Sequence, residues 1–365
     1  MKILFEFEKK PHYFEDPVKI ISCYHPARLN ACFDMIESAL ACGLTVAGFC
    51  SYEAGYAFEK KLWHDKQDEF PLLYMGCYRA PTLAGAYSRT ACGPYALNDI
   101  VINTAQDKYF KDIDAIRRYI ACGDVYQITY CIKMRFRWDG DAFGLYRALY
   151  RMQPVPYSAY LETDRFRILS LSPEMFLKKS GSFIKTKPMK GTWPRGSNPI
   201  SDLAAGLRLH FDKKNRAENL MITDLLRNDL GRCGKDIAVP VLFEVAQYNL
   251  LYQMTSTVTA TVRKDISVRD IFASVFPSGS VTGAPKIRAM EIIRELENEE
   301  RRIYTGAIGY ILPNRDMFFN IPIRTLLLRD GTGEMGIGGG IVWDSTPQGE
   351  WDESMLKSQF LMKTF

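Results

Sequence analysis

Histidine is scarce in this chain of 365 residues, occurring only at positions 12, 25, 64 and 210. A metal centre built on imidazoles is therefore not expected. A divalent ion would have to rest on carboxylates, which favours magnesium over zinc. The nine cysteines include no C-x-x-C pair, and their number is odd. Zinc sites need closely paired ligands and disulfide frameworks need partners, so these residues read as reduced thiols. No window approaches the roughly 18 unbroken apolar residues of a membrane span. Met1 to Lys10 has no apolar signal-peptide core. No membrane is expected, and the expected location is cytoplasmic. Runs of five or six like charges are also missing. The net charge of +5 is spread along the chain, whereas nucleic-acid proteins concentrate theirs in a stripe. No nucleic acid is expected, and a small anionic substrate is compatible with the excess.

What is present is an ordinary globular composition, 47% hydrophobic and 24% charged, without repeats or low-complexity segments. The stretch from Pro81 to Asn98, rich in Gly, Ala, Ser and Pro, is the candidate boundary between an N-terminal α/β region, 1–100, and a larger region, 101–365. In the latter, Tyr109, Ile113, Ile116 and Ile120 predict a helix over Asp107 to Ala121. Val125 to Phe136 then alternates, with Gln127, Thr129 and Lys133 on the polar face of a strand. Further strands are expected at 157–161, 167–171, 183–186, 251–262, 304–312, 316–328 and 334–343. Helices are expected at 213–229, 268–273, 285–297 and 348–363. Strands in consecutive pairs with short turns imply an antiparallel α+β fold.

Gly331, Gly333 and Gly336 match the dinucleotide pattern G-x-G-x-x-G, but a Gly-rich strand follows instead of a helix. A hairpin turn is the better reading. In the helix 213–229, Glu218 shares the spacing of Met221, Ile222 and Leu225, and a buried carboxylate needs a cation or a proton. Glu350, Glu353 and Lys357 fall on one face of the last helix, able to hold a divalent ion or simply to form an exposed ion pair. Thr282 to Lys286 opens another helix, with free N–H groups that suit an anion. Lys190, next to Gly191 and flanked by prolines, sits on a rigid loop. Such a lysine is a nucleophile only if its pKa is lowered.

Together these motifs resemble the chorismate-utilising enzymes: the large subunits of anthranilate and aminodeoxychorismate synthases, and the isochorismate and salicylate synthases. The resemblance runs from Asn103 to Lys363. It rests on Gly123-Asp-Val-Tyr-Gln127, Ser172-Pro-Glu174, Pro188-Met-Lys-Gly-Thr192, Arg216-Ala-Glu218 through Arg232, and Phe276 through Lys286. It continues in Tyr304-Thr-Gly306, Ile323-Arg-Thr325, Gly338 through Val342, and Glu350-x-x-Glu353-x-x-x-Lys357. It implies two large, mainly antiparallel sheets packed together with outer helices. It also implies that Glu218 and Glu353 hold Mg²⁺ with Glu350 close by, that Lys357 sits beside the metal, and that Glu174 is the general acid. Tyr304, Arg324 and the backbone of Gly338, Gly339 and Gly340 would clamp a substrate carboxylate, while Gly191 and Thr192 would line the loop beside Lys190.

Two positions sort the family. Isochorismate and salicylate synthases carry a water-activating lysine where this chain has Gln127. At Lys190 anthranilate synthases typically carry alanine and aminodeoxychorismate synthases lysine. The resemblance thus implies attack of the Lys190 amine on C2 of chorismate and amination at C4, with anthranilate synthesis second. Many members have histidine where this chain has Gln253, and an amide cannot shuttle protons. No Gly-x-Cys-x-Gly loop with a later His-x-Glu occurs. The ammonia is therefore expected from a separate glutamine amidotransferase subunit, and the product is expected to leave as aminodeoxychorismate.

Overall fold

Among the described residues of the chain's computed structural model, every strand pairing is antiparallel. The structure describes residues 1–63, 69–81, 92–248 and 251–362, so His64 and most of the 81–98 boundary segment lie outside the described residues. Along the chain run β1 (Lys2–Phe7), β2 (Lys10–Phe14), β3 (Lys19–Cys23), α1 (Leu29–Ala41), β4 (Thr45–Cys50), β5 (Leu73–Tyr78), β6 (Tyr95–Ile102) and α2 (Gln106–Ala121). Then follow β7 (Gln127–Gly140), α3 (Ala142–Met152), β8 (Tyr157–Glu162), β9 (Arg167–Ser172), β10 (Met175–Ser180), β11 (Phe183–Lys187) and β12 (Met189–Pro194). After α4 (Pro199–Phe211) and α5 (Lys213–Gly231) come β13 (Lys235–Gln247), β14 (Leu251–Thr261), α6 (Val268–Val275), β15 (Gly283–Ala284) and α7 (Lys286–Leu296). The last elements are β16 (Ala307–Ile311), β17 (Met317–Asn320), β18 (Thr325–Arg329), β19 (Thr332–Ile341) and α8 (Pro347–Met362).

These strands form two sheets. One has nine strands, ordered β15-β7-β19-β18-β9-β8-β1-β2 with β6 also on β7. The other has ten, ordered β12-β14-β11-β10-β17-β16-β4-β5-β3 with β13 also on β14. Side chains from both, among them Phe5, Phe7, Phe49, Ile168, Ile308 and Phe318, form a core between them. Two further cores lie under the outer helices: α1, α5 and α6 cover the second sheet, and α2, α3, α7 and α8 the first. The expected α+β sandwich is therefore present. No described helix is long and apolar enough to cross a membrane.

Three expectations need correction. The apolar stretch 316–328 is not one strand: Pro322 has no N–H for a ladder, and the chain leaves β17 in one sheet and enters β18 in the other. The segment around Lys190 is not a loop but β12, an edge strand in line with β11, the two separated at Pro188. Strand β13 was not anticipated. It is an exposed edge strand with several register shifts, so its side chains keep no regular period. The glycine pattern at 331–336 is the β18–β19 hairpin, with Gly331 at φ +71.

One buried cation ties the layers together. Arg301 follows α7 and is 2% exposed. It pairs with Glu297 at 2.6 Å and donates to the carbonyls of Val281 (2.8 Å) and Thr129 (2.6 Å). Its guanidinium also stands 4.4 Å from the centre of the Tyr52 ring. Glu53, beside it, accepts the Arg301 and Arg302 backbone N–H groups at 2.7 and 3.0 Å. Arg301→Met leaves Glu297 buried without its cation and should cost about 3–5 kcal/mol of stability in denaturant unfolding. A loss below about 1 kcal/mol would show the network to be dispensable.

Candidate active site

The site lies where the ends of the two sheets meet, between β7 and β19 on one side and β12 and β14 on the other. Lys190 owes its direction to a bulge. Met189 pairs with Thr255 and Thr192 with Gln253, so three steps on β12 face two on β14. The extra residue breaks the alternation at Lys190 and Gly191, the latter at φ +100. Bulges of this kind re-aim a side chain. Here the Lys190 amine is directed at the glycine run of β19. A Cβ added at Gly340 would lie 3.0 Å from Lys190 Nζ and 2.5 Å from Gln127 Nε2.

Glu174 follows β9 and is 3% exposed. Burial pushes its carboxyl up to about 7, against the opposing effects of the Ser280 hydroxyl, Lys190 and the Met189 N–H. Ser280 donates at 2.7 Å and Met189 N–H at 3.4 Å. Burial also lowers the pKa of the Lys190 amine, opposed mainly by Glu218 and Glu174. Gln127 is fully buried, and neither its Oε1 nor its Nε2 has a partner among the described residues. The same holds for Oε1 of Gln253. Met254 and Tyr252, its neighbours in β14, pack outward with Ala205 and Leu209 of α4, so Gln253 points between the sheets.

The second cluster comes from α5 and α8. A Cβ at Gly339 would stand 3.3 Å from Glu350 Oε2, 3.4 Å from Lys357 Nζ and 3.9 Å from Glu353 Oε1. Lys357 bonds the Gly338 carbonyl at 2.8 Å and pairs with Glu353 at 2.8 Å, which keeps the Glu353 carboxyl below its ordinary value. Glu350 accepts from Ser345 at 2.6 Å, yet burial raises its pKa. Burial likewise raises Glu218, opposed by Lys190 and Lys214 and reinforced by Glu353. The buried face of α5 is formed by Asn219, Ile222, Thr223, Leu226 and Leu230. Glu218 therefore sits at its edge, toward the site, and not within the apolar stripe as the spacing suggested. Arg227 pairs instead with Asp224.

Among the described residues no three His, Cys, Asp or Glu side chains stand close enough together to share an ion. The donor set nonetheless fits magnesium chemically. It consists of carboxylates, and Glu353 adds to the raised pKa of the half-buried Glu218, an electrostatic burden that a hard cation relieves.

Two other expected residues stand slightly apart. The Tyr304 ring packs where a Cβ on Gly336 would lie, 2.2 Å from its nearest atom, and its hydroxyl faces Cys131. Arg324, at φ +50, has no hydrogen-bond or ion-pair partner for its guanidinium among the described residues. Burial lowers its pKa, with Tyr248 opposing. Thr192 is exposed on β12. Residues that the sequence reading missed are Ser280, Ser345, Lys214 and Tyr248, the last close to both Arg324 and Glu174. Only Lys214, four residues before Glu218 on a helix, had a legible signal.

The glycines predict their own test. A methyl at Gly338 meets the Tyr130 carbonyl at 2.2 Å, backbone that cannot move aside, so Gly338→Ala should cost about 1–3 kcal/mol. At Gly340 the methyl meets only the ends of the Lys190 and Gln127 side chains, and Gly340→Ala should cost clearly less. Equal losses in denaturant titrations would contradict the packing described.

Comparison with known proteins places the chain in a family. The chorismate binding enzyme family matches residues 2–363. Aminodeoxychorismate synthase component 1 of Bacillus subtilis is 38% identical over 255 residues, 69% of this chain and 54% of that protein. Anthranilate synthase component 1 of Aquifex aeolicus is 38% identical over 263 residues, 72% of this chain and 53% of that protein. The chain thus spans about half the length of these curated relatives. The crystal structure of anthranilate synthase component I from Streptococcus pneumoniae superposes with a TM-score of 0.80 at 23% identity, covering 99% of this chain and 89% of that one. With a match over almost its entire length, the chain belongs to the chorismate binding enzyme family.

Proposed function

We propose that the chain aminates chorismate at C4 to give 4-amino-4-deoxychorismate, on the route to p-aminobenzoate and folate. The ammonia comes from a separate glutamine amidotransferase subunit. The observation that carries the reading is the Lys190 amine, re-aimed by the bulge toward Gly340, lowered in pKa by burial and placed near Glu174. Overall identity does not choose between amination at C4 and at C2, because relatives of both names match at 38%. The partner is supported only by the name of the relatives, component 1.

Neutral Lys190 attacks C2, both ring double bonds shift, and the C4 hydroxyl leaves as water with the proton of Glu174. The Glu174 carboxylate then takes back the proton released by the new C2–N bond. Ammonia adds at C4, both ring double bonds return, and the C2–N bond breaks as Glu174 protonates the departing lysine nitrogen and then takes the proton of the new C4 ammonium. The net change is chorismate plus ammonia giving aminodeoxychorismate plus water. Because the lysine occupies C2, ammonia enters at C4. Gln127, lacking a basic amine, cannot activate water for attack at C2, but its unpartnered amide can bond substrate. Arg324, without a described partner, suits the enolpyruvyl carboxylate as a planar fork. Glu218, Glu350 and Glu353 would hold magnesium, which when bound neutralises the ring carboxylate and orients it.

Mass spectrometry of products from purified chain, chorismate, Mg²⁺ and ammonium should show an aminated species that keeps its enolpyruvyl group. Lys190→Ala should lower its formation roughly 10³-fold or more. Anthranilate with pyruvate would instead assign amination at C2. The pH dependence follows from the two buried groups. The rate rises as Lys190 loses its proton and falls as Glu174 loses its own near about 7. Glu174→Gln should remove that alkaline limb together with most of the rate. An unchanged alkaline limb in this variant would exclude Glu174 as the acid. If Gln253 only orients substrate, Gln253→His should change kcat by less than about tenfold, whereas gain of a proton-transfer group is worth about 10²–10⁴.

A further inference from the structure

Helix α4 carries an apolar stripe with nothing packed on it among the described residues. Ile200, Leu203, Leu207 and Phe211 recur at i, i+3, i+7 and i+11, one face of a helix. They are 84%, 67%, 51% and 66% exposed. The opposite face buries Ala205 and Leu209 against Tyr252 and Met254 of β14. His210 Nδ1 is 3.1 Å from the Phe243 carbonyl of β13, and next to Phe243 in that strand stand Val241 and Leu242, 40% and 41% exposed. Isolated exposed apolar side chains are ordinary, but four in register over three turns mark a contact surface.

Its position and surroundings narrow the occupant. Helix α4 packs on β12 and β14, the strands that carry Lys190 and Gln253, and begins five residues after β12 ends. A subunit seated there is about one helix diameter, ~10 Å, from the layer holding the amine. Two copies of this chain pairing through the stripe alone would bury on the order of 800 Å², short of the roughly 1,200 Å² that a stable pair needs. A different partner can extend over β13 and over Arg208 and Lys213, exposed cations with no ion-pair partner among the described residues. The complementary surface is an apolar groove with an acidic rim.

We propose that α4 is the docking face for the subunit that hydrolyses glutamine and releases ammonia. This rests on the amination reading above, and its chemistry explains the location: ammonia is mostly protonated in neutral water, so a neutral nucleophile must be released close to where it reacts.

The test uses the whole chain with Leu203→Glu and Leu207→Glu together, and the purified glutamine amidotransferase subunit of the same organism. Ammonia-dependent amination should stay within about twofold of the parent, because neither residue touches the site. Glutamine-dependent amination should fall by about thirtyfold or more, as when interface anchors are removed, and co-sedimentation of the two subunits should be lost. Retained glutamine-dependent turnover would overturn the proposal. So would a parent chain that self-associates through the stripe, with the double variant monomeric. Should the double variant lose ammonia-dependent turnover as well, Ile200→Arg with Phe211→Arg at the ends of the stripe takes its place in the same comparison. A parent chain that never aminates chorismate refutes the reaction; co-sedimentation with the parent and not the variant would still support the docking face, and its absence would refute that too.

Discussion

Between Gly338 and Gly340 the strand β19 has no side chains, and on that absence the spacing of the whole site depends. On one side its backbone comes within reach of Glu350, Glu353 and Lys357, on the other within reach of Gln127 and Lys190. Any residue with a Cβ would push one of these groups away. The ladder from Thr332↔Arg137 to Ile341↔Ile128 fixes the strand against β7, so the approach is set by rigid backbone and not by a loop. A glycine strand held in a ladder keeps this spacing without help from a substrate, and helices α5 and α8 bring their side chains to it.

Burial acts on Glu174 and Lys190 in opposite directions. A low-dielectric setting disfavours charge on any group. It therefore raises the Glu174 carboxyl to about 7 and lowers the Lys190 amine. One cause thus brings an acid toward its protonated form and a base toward its free form within the same cleft. Their mutual attraction works against both shifts, and the Ser280 hydroxyl also favours the carboxylate. The Glu174 carboxyl, at about 7, can therefore exchange a proton near neutrality, while the Lys190 amine is biased toward its free form.

The outline of the fold and most of the site were legible because they depend on short-range periodicity. Helical spacing placed Glu350, Glu353 and Lys357 on one face. Alternation placed Gln127, Thr129 and Lys133 together on β7, and a glycine run before Val342 marked close backbone approach. What was not legible depends on tertiary pairing. Pro188, Gly191 and Pro194 make β12 look like a loop, and only its ladder with β14 makes it a strand. Ser280 reaches Glu174 across 106 positions of sequence, for which no local pattern exists. Pro322 was visible in the stretch 316–328, but the run of apolar residues on both sides hid the change of sheet.

The bulge at Lys190 connects this reading to the choice of chemistry. A regular strand would alternate its side chains, and the register of β12 would leave Lys190 and Thr192 on the same face, with Gly191 opposite. The added residue frees Lys190 from that rule, while Thr192 stays paired with Gln253. An alanine at position 190 would keep the bulge, the acids and the glycines, and remove only the amine. Under the proposed reaction one fold can therefore serve relatives of both names, which match this chain at equal identity. In the proposed reaction the position of attack would be decided by whether C2 is occupied by the protein's own nitrogen, a difference of one side chain on the backbone that presents it.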